Sequence, residues 1–253
     1  MEFSFGIEIL ILLFFTALAA GLVDTLAGGG GLISLPVLLL VQVPPIQALA
    51  TNKLQGAFGT FTAAATMLKK RMVRWRDIRV AFAMSLLGAS LGTLLVQQID
   101  TQTLELVIPV LMFALGTYLL FNKGAGAQET KAKISARAHK YIVVPIIGFY
   151  DGFWGPGAGS FFTVTSIYFR GKQLIAATAE TKLLNFASNV ASLVVFIWAG
   201  QAIWEIGLVM IAGQIAGAML GSRIIVKGNI SFIRPVIIFI CFAVAIRYTL
   251  PLL

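Results

Sequence analysis

Lys53 and Lys182 are the residues of this 253-residue chain best suited to chemistry. Each is read as opening a long apolar segment, and an ionisable residue inside a membrane is a functional candidate by default. Thr51, Asn52 and Gln55 surround the first lysine; Glu180, Thr181, Asn185 and Asn189 surround the second. At helical spacing Lys182, Asn185 and Asn189 fall on one face. An ammonium supplies charge and amides supply directed hydrogen bonds, a set suited to holding an oxyanion. The competing account is architectural: Asp24 with Lys53, and Asp151 with Lys182, would each form an ion pair that only holds helices together. Both uses are compatible where the acids orient the lysines. Glu180 stands where the first half has Thr51, and is the candidate to carry a coupling proton.

Two glycine-rich stretches lie upstream of the lysines: GLVDTLAGGGGLISLP at 21–36 and GFYDGFWGPGAGSFF at 148–162. Pro156 between glycines does not fit a continuous helix. The apolar segments that follow, 31–43 and 157–169, are short. Thirteen helical residues span about 20 Å, against ~30 Å of hydrocarbon. Each break is therefore expected at membrane depth, between half-helices or within a re-entrant hairpin. Irregular backbone is tolerated there only when buried in protein or lining a wet cavity. Gly29, Gly30 and Gly31, with Gly157 and Gly159, would bring backbone N–H groups close to a ligand. The positive end of each half-helix would face the same point, an anion site. Ser34 and Ser160 would add hydroxyls from the first turns. The bland alternative is that the glycines only let helices pack closely, which suits GASLG (88–92) and GAMLG (217–221) better.

The elements that must position these groups follow from composition. The chain is 58% hydrophobic and 11% charged, with a mean hydropathy of +0.92. A soluble domain carries about 25% charged residues, so this is an integral membrane protein. Apolar runs occupy 7–23, 31–43, 54–68, 80–97, 104–121, 141–150, 157–169, 183–199, 206–221 and 235–250. Residues 1–23 lack a basic leading segment and a clear cleavage site, and read as a retained first span. The net charge of +9 does not indicate a nucleic-acid partner. Sixteen of the 19 Lys and Arg fall in four loops, at 69–79, at 122–140, at Arg170 with Lys172, and at Arg223, Lys227 and Arg234. Cationic loops beside apolar spans mark the cytoplasmic side. Cys241 is the one cysteine and His139 the one histidine, which leaves no cluster for a metal. No cofactor is expected, and no constellation of acid, base and nucleophile suggests an enzyme.

The halves resemble each other. GLVDTLAGGGG aligns with GFYDGFWGPGA, IQALATNKL (46–54) with IAATAETKL (175–183), Trp75 with Trp204, and GASLG with GAMLG. The basic loop of one half corresponds to an uncharged loop of the other: 69–79 matches WAGQAIWEIGL (198–208), and the Arg170–Lys172 loop matches VQVPP. Equivalent loops thus face opposite sides, the plan of an inverted-topology repeat. The expected fold is an all-α polytopic membrane protein of two inverted repeats. It would have about 8–10 membrane segments, Gly-broken short helices included. Residues 1–121 would form the first repeat, 122–140 a cytoplasmic basic linker and 141–253 the second repeat, with both chain ends outside.

GLVDTLAGGGGLISLPVLLL, ALATNKLQGAFGTF, GFYDGFWGPGAGSFF and ATAETKLLNFASNVASL together resemble the TauE/SafE family of membrane permeases, its YfcA-like branch in particular. The resemblance covers nearly the whole chain. It implies a multi-pass protein of the bacterial inner membrane with about eight spans. It also implies transport of sulfite, sulfonates such as sulfoacetate, or other organic anions. The expected function is a secondary transporter of a small anion working by alternating access, with Lys53 and Lys182 as its charges. An anion channel, or a carrier of non-sulfur anions, are the alternatives. An inside-negative potential would drive export of an anion by about 2.3 kcal/mol per charge at 100 mV. The expected partners are a small anion and the lipid bilayer. The Gly-x-x-x-Gly pairs could serve contacts within one chain or between copies of a homo-oligomer.

Overall fold

A computed structural model describes residues 5–99, 117 and 131–227. The apolar runs 104–121 (Thr117 apart) and 235–250, the first part of the linker, Arg234 and Cys241 lie outside the described residues. So do both chain ends.

The described chain is helical. Helix α1 (Ile7–Ala27) runs into the first glycine break, and a short α2 (Gly31–Leu40) leaves it. Then come α3 (Pro45–Lys69) and α4 (Trp75–Val96). In the second half a short turn capped by Ser135 and a π-turn at His139–Val143 lead into α5 (Val144–Phe153). Helix α6 (Ala158–Arg170) follows the second break, then α7 (Leu174–Trp198) and α8 (Trp204–Lys227). The order of the first half, a helix into the break, a short helix out of it and then two long helices, recurs around the second break. Trp75 and Trp204, aligned in sequence, each open a helix.

Local chemistry sets the ends. Helix α1 stops where Gly28 takes φ 76° and its N–H bonds back to the Asp24 carbonyl, a left-handed cap that glycine enters without strain. Gly157, at φ 82°, turns the chain into α6. Pro45 starts α3 at a position where its missing N–H costs nothing. The half-helix of the first break is shorter than its apolar run, ten residues ending at Leu40. The lysines differ from expectation in one respect. They do not open their helices but sit within them, because α3 and α7, 25 residues each, begin upstream. Polar residues such as Thr51 and Asn52 continue the backbone ladder while facing inward, so hydropathy undercounts these helices.

Helices α1, α4, α7 and α8 (to Val226) are long and apolar enough to cross a membrane. The protein's polarity is that of a lipid-soluble body. Phe15, Leu91, Val194 and Leu208 are exposed, while Lys53, Lys182, Asp151, Gln55 and Ser188 are buried. Water outside would reverse that preference; hydrocarbon outside demands it.

Each half packs through the other. Helix α1 lies along α8, α5 along α4, and α3 against α7 at the centre, with α3 also on α8 and α7 on α4. Small residues make these contacts close. A methyl added to Gly217 would fall 2.0 Å from the Leu18 carbonyl oxygen, and one added to Gly88 would fall 2.2 Å from that of Pro145. Both Gly-x-x-x-Gly pairs are thus engaged inside one chain, as small residues are between membrane helices. The cationic stretches also meet. Lys70 and Arg223 line one surface cavity, and Lys140, Arg170 and Lys172 line another with Asp77 and Glu180.

Candidate functional site

The two glycine breaks touch. The Ser160 N–H donates to the Gly28 carbonyl at 3.3 Å and the Ser160 hydroxyl to that of Ala27 at 2.6 Å. A Cβ on Gly28 would fall 2.2 Å from the Gly159 carbonyl carbon, so a side chain at this crossing is excluded by both space and φ. Between the breaks and the centres of α3 and α7 lies a polar cavity of ≈ 20 Å³. That is room for about one water molecule.

Backbone supplies one wall. Gly28, Gly31, Gly155, Gly157 and Gly159 line the cavity. Of these, the N–H groups of Gly31, Gly157 and Gly159 have no hydrogen-bond acceptor among the described residues. Side chains supply the rest: Asn52, Lys53, Asn185, Asn189 and Gln214, with Asp24 and Asp151. Gly155 sits against the Lys53 ammonium, which a Cβ there would approach to 3.2 Å.

The bonds made by the two lysines overturn the expected partnership within each half. Lys53 Nζ meets Asp151 Oδ1 at 2.5 Å, both side chains almost wholly buried. The hydroxyl of Ser188 donates to the other Asp151 oxygen. Lys182 donates to the main-chain oxygen of Asp24 at 2.5 Å. The lysine of each half therefore reaches the acid segment of the other. The reason is tertiary: α3 packs on α7 while the two breaks interleave between them.

Amides and hydroxyls orient one another. Asn52 Oδ1 accepts from Ser34 Oγ at 2.6 Å and from Gln55 Nε2 at 3.2 Å. Asn189 donates to Asn185 Oδ1 at 3.2 Å. In the second half Thr181, the residue aligned with Asn52, bonds Thr163 at 3.0 Å. Ser34 and Thr163 each also bond the carbonyl four residues back, of Gly30 and Gly159.

Of the residues singled out from sequence, Asp24, Gly31, Asn52, Lys53, Asp151, Gly157, Gly159, Asn185 and Asn189 line the cavity. Lys182, Gln55, Gly29, Gly30, Ser34 and Ser160 are not on its lining, and Lys182 bonds the main-chain oxygen of Asp24, which is. Glu180 is elsewhere. It pairs with Lys172 near the start of α7, in the cationic surface cavity with His139. His139, outside the spanning helices, is held down to a pKa of about 4 by burial, then by Lys172 and Arg170. Sequence reasoning missed Gly56 and Gln214, both on the cavity wall. Gln214 carried a signal: it is a lone amide within the apolar run 206–221. Its Oε1 is buried with no hydrogen-bond partner among the described residues. No group of His, Cys, Asp and Glu among the described residues is arranged to hold a metal.

Residues 13–248 match the family described as sulfite exporter TauE/SafE. This chain belongs to the TauE/SafE family. A probable membrane transporter protein of Haemophilus influenzae is 41% identical over 237 residues, covering 94% of this chain and 93% of that one. The probable membrane transporter protein YfcA of Escherichia coli is 38% identical, covering 90% and 85%. A probable membrane transporter protein, ORF9, of a Sinorhizobium species is 38% identical, covering 95% and 92%. This TauE/SafE chain is thus a multi-pass protein of a transporter family and not an enzyme.

Proposed function

We propose that the protein is a secondary transporter that carries a small anion, a sulfite- or sulfonate-like oxyanion, across the cytoplasmic membrane. One observation carries the reading. A buried cavity is lined by an ammonium, carboxamides and unbonded N–H groups from two crossing backbone breaks. Those donors suit the oxygens of an oxyanion, and both half-helix starts turn their positive ends to the same point. The family's description as a sulfite exporter supports the sulfur class. Lys53 provides charge at the cavity and Lys182 charge from behind it. Asn52, Asn185 and Asn189 orient the anion.

The two halves, 1–121 and 141–253, act as inverted repeats joined by the linker 122–140. Two observations support this. Lys70 at the end of α3 and Lys172 before α7 both belong to the cationic stretches, so these equivalent helices would run oppositely with their basic ends in the cytoplasm. Their contacts are exchanged between halves in a matching way, α1 with α8 and α5 with α4. A four-heavy-atom oxyanion exceeds a one-water cavity, so the cavity must open toward one side to load. That favours alternating access over an open channel.

Flux in proteoliposomes tests the reading, with sulfite, thiosulfate, sulfoacetate, sulfate and a carboxylate as the panel. Saturable flux of a sulfur oxyanion, lost in Lys53→Met, is the expected result. Flux of the carboxylate alone would retain the carrier and remove the sulfur class. Flux of none would return the lysines to a purely architectural role.

A further inference from the structure

Four buried charged side chains surround the cavity, and two are positive and two negative: Lys53 and Lys182 against Asp24 and Asp151. The empty site is therefore neutral at most. An anion entering it would leave an uncompensated negative charge in a poorly polarisable interior, which is costly. The donors described above reduce that cost without cancelling the charge. A positive charge must enter with the anion.

The two acids differ in how their carboxylates are held. Asp151 has both carboxylate oxygens engaged, one by the Lys53 ammonium and one by the Ser188 hydroxyl. The Asp24 carboxylate accepts a single hydrogen bond, from the Gly30 N–H at 3.2 Å, and has no ion pair within 4.0 Å among the described residues. Its ammonium neighbour, Lys182, is turned to the Asp24 main-chain oxygen instead. Resting on the anion-transporter reading above, we infer that Asp24 takes up one proton as the anion binds, so that each anion crosses together with one proton. The groups facing Asp24 fit that role. Helix α7 presents Lys182, α3 presents Lys53 and α5 presents Asp151; from α2, α6 and α8 only Gly31, Gly157, Gly159 and Gln214 reach the cavity. With Asp24 neutral, the ammonium of Lys182 is left to balance the anion. On the far side the proton leaves the carboxyl and the anion leaves the cavity, which restores the neutral empty site. A monovalent anion then moves without net charge, and the membrane potential does not drive it.

The test uses full-length protein in proteoliposomes that hold a pH-sensing dye, with the membrane potential clamped at zero. Methanesulfonate serves as the probe because, as the monovalent anion of a strong acid, it brings no proton of its own near neutral pH. The expected result is one proton per anion in the wild type. Asp24→Asn is expected to lower that ratio to zero and make the remaining flux independent of pH. Glu180→Gln, remote from the cavity, keeps the ratio at one. Anion flux with no accompanying proton in the wild type overturns the inference while leaving the anion carrier standing. Loss of the ratio in Asp151→Asn with its retention in Asp24→Asn overturns the choice of Asp24. No anion flux in the wild type overturns the anion reading itself, and this inference with it. The wild-type ratio needs no variant, so a poorly folded Asp24→Asn cannot blunt the test, and Asp24→Ser serves as its replacement.

Discussion

Lys53→Met separates the architectural from the ligand-binding use of the central ion pair. In the native protein Lys53 Nζ and Asp151 Oδ1 lie 2.5 Å apart with both side chains only 2–3% exposed. Removing the ammonium leaves a carboxylate with only the Ser188 hydroxyl to stabilise it, out of reach of solvent. Breaking a buried pair in this way costs about 3–5 kcal/mol, because the remaining charge is uncompensated. For a chain of this size that is a fall on the order of 10 °C in the unfolding midpoint. The partner change Lys53→Met with Asp151→Asn removes both charges at once. It is expected to recover most of the loss, since two neutral groups of similar volume replace the pair. The assay is thermal unfolding of purified protein in detergent, followed by near-ultraviolet fluorescence, alongside anion binding on the same samples. A stable double variant that no longer binds an anion would assign Lys53 to the ligand. The reasoning is refuted if Lys53→Met unfolds within about 1 °C of wild type, or if the double variant is no more stable than the single one.

Gly217→Leu is expected to force α1 and α8 apart, because even its Cβ would lie 2.0 Å from the Leu18 carbonyl oxygen. A loss of at least about 1–3 kcal/mol should appear as a lowered unfolding midpoint, whereas Gly6→Ala, with nothing within 4 Å, should show none. Ser34→Ala removes the 2.6 Å bond to Asn52 and should cost about 1 kcal/mol by denaturant titration, with anion affinity falling because Asn52 loses its orientation. His139 gives a pH signature with a definite sign. Its folded pKa of about 4 lies below the free value of 6.5, so its contribution is complete above pH 6.5 and is lost as pH falls from there toward 4. His139→Gln should flatten the unfolding midpoint against pH across that window, and an unchanged slope would remove His139 as its source.

Much of the site was legible in sequence because membranes penalise polarity so heavily. A lysine, an aspartate or a cluster of amides within apolar runs has few roles there, and Lys53, Asp151, Asn52, Asn185 and Asn189 all proved to line one cavity. The glycine breaks were legible for the same reason, since GGGG and GPGAG cannot continue a helix cheaply. Glu180, which stands where the first half has Thr51 and is the sequence's candidate for a coupling proton, meets Lys172 near the start of α7 rather than the cavity. Residue type constrains a group's cost of burial but not the direction in which it faces.

The sequence by itself determined a helical membrane protein with two similar halves, the two breaks and the set of charges held inside. Hydrogen-bonding demand and charge burial act residue by residue, so they leave marks along the chain. Only the tertiary structure decided which charges meet. Lys53 joins Asp151 and Lys182 reaches Asp24 because the helices of each half pack against those of the other, a choice made across separations of 98 and 158 positions in the chain. Only packing, too, brought Gln214 to the cavity wall and set Gly28 against Gly159. Close contact between distant backbones depends on where small residues coincide in space, and no local pattern records that coincidence.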